Sequence, residues 1–229
     1  MPVEFLQRLE SRVILRTMST NLLNVVLLIP VFLFSLCFHE FAHAWVAVKR
    51  GDPTPQLLGR LSMHPMAHAD ILGTLILPIL AIYTGAPFFG WAKPVPIEFR
   101  NLKYGRRDYA LIAAAGPMAN ILLALAATAL LAVLIRLPFQ NQFFETVQLF
   151  SLVSIQVNLM LAFFNLIPIA PLDGFNVLQG IVPKRIGLML NKTTQVSGLI
   201  LLLLLVTGSL KYIAIPVTLV FRFLVNSIS

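Results

Sequence analysis

His39-Glu40-Phe41-Ala42-His43 is the stretch of this chain whose residue types and spacing could do chemistry. Residues four apart stand one turn apart on one helix face, so two imidazoles there can grip a single metal ion. Glu40 points partly off that face, where its carboxylate can hold a metal-activated water instead of ligating the metal. This is the arrangement of a zinc hydrolase. The run that carries it, residues 22 to 48, is interrupted by Pro30 but is long and apolar enough to cross a bilayer. Two histidines and a glutamate at hydrocarbon depth are costly and usually mark function. The alternative is three polar residues satisfied against neighbouring helices.

The elements that must position these groups are membrane elements. With 229 residues, 58% hydrophobic and 11% charged, the chain is too apolar for a soluble domain and fits an all-α polytopic membrane protein. Its length accommodates about four to six apolar segments and no separate soluble domain. The net charge of +8 sits beside apolar runs, so positive-inside topology and anionic lipid head groups explain it, and no nucleic acid partner is expected. Cys37 is the single cysteine, so no internal disulfide forms, and its apolar setting suits a small core residue.

Residues 1 to 21 carry Arg8, Arg12 and Arg16 at spacing four among apolar residues, which predicts an amphipathic segment on the membrane surface. Residues 22 to 182 form the core, and 183 to 229 hold the C-terminal apolar segment or segments. After the first span a loop to about residue 70 contains His64 and His68; Pro65 allows a helix through both only if it starts there. With no acid suited to activate water, this pair reads as solvated or interfacial rather than as a second metal site. Residues 71 to 85, with Gly73 and Pro78, are short for a span and suit a re-entrant segment. In Gly90 to Ile97, which includes Trp91 and Lys93, Pro94 and Pro96 remove N–H groups along one side of an extended strand. It reads as one strand of a short β hairpin with an open edge beside the site.

A second span, 110 to 135, contains Gly116-Pro117-Met118-Ala119-Asn120, where a kink and a lone Asn serve either helix packing or the site. A third, 144 to 168, ends in Asn165-Leu166-Ile167-Pro168-Ile169-Ala170-Pro171-Leu172-Asp173-Gly174. Pro168 and Pro171 prevent a regular helix, and irregular backbone at membrane depth is tolerated only against protein or a wet cavity. Asp173 either caps a helix or supplies the carboxylate that a two-histidine zinc site still lacks. Lys184, Arg185 and Lys192 suggest a basic loop, and residues 196 to 225 make one long tilted span or two shorter ones.

Counting basic residues on each side gives a tie between a crossing and a re-entrant 71 to 85. A shared metal breaks it: His39, His43 and Asp173 meet near the cytosolic side only if that segment turns back. The N-terminus then lies outside, with three arginines against the positive-inside trend.

Taken together, His39-Glu40-x-x-His43, Gly116-Pro117-x-x-Asn120 and Asn165-x-x-Pro168-x-x-Pro171-Leu172-Asp173-Gly174 resemble the site-2 protease family of intramembrane zinc metalloproteases. The resemblance covers about residues 22 to 182, in a compact form without the peptide-binding or nucleotide-sensing domain of many relatives. It implies one Zn2+ per chain held by His39, His43 and Asp173, with Glu40 as general base. It further implies that Asn120 and Asn165 lie near the site and that Gly90 to Ile97 is the membrane re-entrant strand region. Trp91, Lys93, Pro168 and Pro171 join these as expected substrate-binding or site-supporting residues. The expected activity is hydrolysis of transmembrane protein substrates by a multi-pass cell-membrane enzyme, near the cytosolic face, alone, as a homo-oligomer or with a gating partner. The rivals are a divalent metal transporter or channel using the same His and Asp residues, and a silent membrane protein that traps helices. Glu40 speaks against both, since neither requires it.

Overall fold

The structure, a computed structural model, describes residues 22–84, 90–138 and 141–228. The amphipathic segment expected over residues 1 to 21 lies outside them. All regular structure among the described residues is helical: α1 Leu22–Lys49, one-turn helices α2 Thr54–Leu57 and α3 Pro65–His68, and a π-helical stretch Ile71–Ile76 continuing into α4 Leu77–Thr84. After Gly90 come α5 Arg106–Leu134, α6 Gln142–Asn165, α7 Asp173–Ile181, α8 Lys184–Val206 and α9 Ala214–Asn226. Four helical stretches, Leu27–Lys49, Arg106–Leu134, Gln142–Asn165 and Lys184–Leu204, are long and apolar enough to cross a membrane. The all-α polytopic expectation therefore holds.

Helix α5 packs against α1, α6 and α7 and is the centre of the bundle. Its small residues let backbones approach closely, and packing with interhelical hydrogen bonds replaces the hydrophobic drive that lipid cannot supply. Ala124 and Leu131 of α5 interlock with Leu152, Ile155 and Leu159 of α6 and with Val217, Phe221 and Val225 of α9. Outward-facing Leu122, Leu125, Val133 and Leu203 are exposed, as suits contact with acyl chains. Cys37 is buried and free, as its apolar setting implied.

The segment from Ile71 to Thr84 rises only about 20 Å, short of a hydrocarbon core of roughly 30 Å. The chain then comes back. Trp91 N donates to Gly73 O at 3.1 Å, Thr74 Oγ1 to Trp91 O at 2.8 Å, and Lys93 N to His68 O at 2.8 Å. Such a return suits the re-entrant course expected for this segment. The expected β hairpin does not form: no strand is present among the described residues, and the N–H groups of Trp91, Lys93 and Val95 bond to the carbonyls of Gly73 and His68 and to Glu40. Prolines at 94 and 96 deny the opposite side the donors that a ladder needs.

Asp52, fully buried just past α1, ties this segment down. It accepts from Thr54 N (3.1 Å), Thr54 Oγ1 (2.6 Å), Glu98 N (2.7 Å) and Asn101 Nδ2 (2.9 Å). Burial pushes its carboxyl up, but the hydrogen bonds from Asn101, Thr54 and the Glu98 backbone outweigh this and hold it below the ordinary value.

Two expectations need correction. His64 is exposed and caps α3 by accepting from Met66 N, but His68 is 1% exposed and bonds Ser62 O through Nε2 at 2.7 Å, so only one of the pair is solvated. The basic stretch from Lys184 to Lys192 is the beginning of α8 and no loop, because Pro183 starts a run of good helix formers with no further proline. The C-terminal apolar stretch is two segments, broken at Gly208, whose φ of +68° suits glycine.

Candidate metal centre

Histidines 39 and 43 leave the same face of α1, with ring centroids 4.6 Å apart and planes at 85°. Both are buried, as is Glu40. Each ring is fixed through Nδ1. His43 Nδ1 lies 2.7 Å from Ile112 O, a carbonyl that only accepts, so that nitrogen carries the proton. His39 Nδ1 lies 2.6 Å from Asn120 Oδ1, and the Asn120 amide donates to Ser35 O (3.2 Å) and Asn158 Oδ1 (2.9 Å). That leaves both Nε2 lone pairs free.

They converge on Asp173. The loop after α6, bent by its prolines, returns the chain so that Asp173 opens α7 with Oδ2 3.0 Å from His39 Nε2 and 3.3 Å from His43 Nε2. Bonds of about 2.0–2.2 Å in a tetrahedral zinc site set donor separations of roughly 3.3–3.5 Å, so these spacings fit a shared cation. Space for it depends on Gly116. A Cβ there would collide with His43 Nε2 and lie 2.5 Å from His39 Nε2. His39, Glu40 and His43 also form a group whose donor atoms all lie within 4.8 Å of one another. A buried cluster of acceptors around a glycine-made gap suits a metal ion.

Glu40 Oε2 accepts from Val95 N at 3.2 Å, which ties the acid to the extended segment. The cluster opens into a cavity of about 680 Å³ walled by α1, α5, α6, α7, the extended segment and Leu201 and Leu202 of α8. Of the residues singled out from sequence, Trp91, Asn165 and Pro171 line this cavity with the cluster. Asn120 stands behind His39 and is fully buried, whereas Lys93 and Pro168 are not on the wall. Asn158, Ile112 O, Tyr109 and Asn176 were not found by sequence reasoning. Only Asn158 carried a signal, a lone amide inside an apolar run like that of Asn120.

Fold and cluster together define a class: a polytopic helical membrane protein with two histidines and a carboxylate gathered between its helices where a metal ion could bind. The chain is 32% identical over 191 residues to the "Putative zinc metalloprotease YwhC" of Bacillus subtilis, covering 82% of this chain and 84% of that protein. It is 30% identical over 190 residues to the "Putative zinc metalloprotease Rip2" of Mycolicibacterium smegmatis, covering 81% and 69%. A Mycobacterium tuberculosis Rip2 of the same description is 34% identical over 159 residues, 67% of this chain and 56% of that protein. The chain belongs to the site-2 protease family. No protein-family model and no solved structure matched it.

Proposed function

We propose that this chain is an intramembrane zinc endopeptidase that hydrolyses peptide bonds in or near transmembrane helices of membrane-anchored proteins, close to the cytosolic face. The observation that carries this reading is the approach of Asp173 Oδ2 to both His39 Nε2 and His43 Nε2, beside Glu40 and inside helices of bilayer length. His39, His43 and Asp173 would hold the ion. Zinc at that position supplies an acidified water and a Lewis acid for the peptide carbonyl.

The remaining work falls to the chain. Glu40 takes the proton of the attacking water on a carboxylate oxygen as the water's oxygen bonds the carbonyl carbon. It then gives that proton to the amine nitrogen as the C–N bond breaks, so the glutamate ends as it began. The Val95 N–H bond to Oε2 leaves Oε1 for this traffic. Asn120 and Ile112 O keep the two rings in the tautomer that presents Nε2.

A divalent metal transporter would use the same ligands but has no need of a glutamate beside them. The test is Glu40→Gln, which keeps size and polarity but removes the base. Zinc content should stay, while cleavage of a reconstituted transmembrane peptide falls by about 10² to 10⁴. Undiminished cleavage in Glu40→Gln sinks the mechanism, and zinc flux into vesicles without proteolysis by the wild type sinks the protease.

A further inference from the structure

A helix that is to be cut must first be unwound, and each peptide unit drawn out of it presents a carbonyl that has lost its N–H partner. Where water is scarce, those carbonyls need donors from the protein. The extended segment beside Glu40 has none to give over residues 93 to 96. Lys93 N is bonded to His68 O, Val95 N is bonded to Glu40 Oε2, and Pro94 and Pro96 have no N–H. The backbone of this segment can accept from a peptide but cannot donate to it.

The unused donors are elsewhere on the cavity wall. Tyr109 and Asn176 both line the cavity, and among the described residues neither the Tyr109 hydroxyl nor the Asn176 carboxamide has a hydrogen-bond partner. Tyr109 lies one and two turns before Ala113 and Gly116 on one face of α5, and Asn176 lies one turn after Asp173 on α7. Helix α7 runs back along the start of α5: its first residue meets the histidines beside Gly116, while a Cβ on Gly180 would lie 3.0 Å from Arg106 O. Both donors therefore sit on the same side of the metal ligands, within two turns of them. The other amides are committed, since Asn120 is held by His39, Ser35 and Asn158, and Asn165 Nδ2 donates to Leu161 O at 2.9 Å.

We propose that the Tyr109 hydroxyl and the Asn176 carboxamide donate hydrogen bonds to backbone carbonyls of the unwound substrate and hold it against the acceptor-only backbone from Lys93 to Pro96. This rests on the protease reading above. Recognition through carbonyls gives the site tolerance of side-chain sequence and preference for segments that unwind easily.

The test is direct binding of a fluorescent transmembrane peptide, in bicelles, to the zinc-loaded full chain carrying Glu40→Gln. Adding Tyr109→Phe or Asn176→Leu should weaken binding about two- to tenfold each, the range for one lost hydrogen bond. Zinc stoichiometry and unfolding midpoint should not move, and Tyr104→Phe, at an exposed residue off the cavity wall, should bind as the parent. With Glu40 intact, the same two changes should raise KM more than they lower kcat. Unchanged binding in both variants overturns the proposal. So does binding that falls only in step with zinc loss or a lower midpoint, since the groups would then be structural. Binding lost in both variants while the wild type cleaves nothing would support these contacts and sink the protease reading alone.

Discussion

Asn120 Oδ1 stands 2.6 Å from His39 Nδ1 and thereby turns the opposite nitrogen of the ring toward Asp173. Asn120→Ala removes the strut and leaves the buried Asn158 Oδ1 without its donor. Zinc affinity should fall about 10- to 100-fold, the usual cost of losing such a partner, in a competition titration against a chelating dye. Affinity equal to wild type would mean that the ring is held by the metal alone.

Gly116 makes the room in which the two ligating nitrogens meet. Gly116→Ala should abolish stoichiometric zinc, because the added methyl cannot be accommodated at two metal ligands and α5 cannot retreat from the bundle core. Gly198→Ala on the far wall, where a Cβ meets no atom within 4 Å, should keep its zinc. Metal analysis of the two purified variants side by side decides the point.

His39→Ala, His43→Ala and Asp173→Ala should each lose zinc, because two remaining ligands bind far more weakly. His64→Ala should be silent. His68→Ala should keep zinc but lower the unfolding midpoint, since it empties a buried site and orphans Ser62 O. Zinc loss in the His68 variant with retention in the Asp173 variant would overturn the ligand set.

Asp52 makes a pH prediction. Its folded value is lowered, so its contribution is complete above the ordinary value of 3.8 and disappears as the pH falls below that toward the folded value. Asp52→Ala should therefore cost about 1.5–3 kcal/mol at pH 7, typical of hydrogen bonds to a charged group, and far less near pH 2. Chemical unfolding of both proteins at the two pH values measures the difference.

Gln56→Cys and Tyr104→Cys, placed on a Cys37→Ala background, should both react with an impermeant maleimide from the cytosolic side only. Both positions are exposed, one before and one after the re-entrant segment. Labelling from opposite faces would mean that the segment crosses.

The cluster proposed to hold the metal was legible in the sequence because its chemistry is local: His39, Glu40 and His43 lie within one helical turn and a bit, and Asp173 sits at a double-proline break that no ordinary span tolerates. Three of the four long helices were legible from apolar run length, whereas the fourth begins in the basic stretch from Lys184 that reads as a loop. What escaped was set by tertiary register. Ile112 O reaches His43, and Asn158 reaches the Asn120 that holds His39, only because α1, α5 and α6 pack at particular heights. Tyr109 belongs to a charged helix start that reads as surface until α7 is laid beside it. The strand expected over Lys93 to Ile97 failed for a related reason, since the carbonyls of Gly73 and His68 and the Glu40 carboxylate took the N–H groups a partner strand would have used. At the C-terminus, hydropathy could not see the turn at Gly208, because the residues on both sides are apolar whether the helix continues or breaks.

Asp173 stands 134 residues downstream of the histidine it meets. A chain emerging from the ribosome therefore carries two imidazoles and the base through most of its synthesis without the carboxylate that completes the ligand set. On the proposed ligand set, the site stays incomplete until α7 has left the exit tunnel and folded back on α5. The late position of one aspartate would thus hold the proposed enzyme inactive until most of the chain has been made.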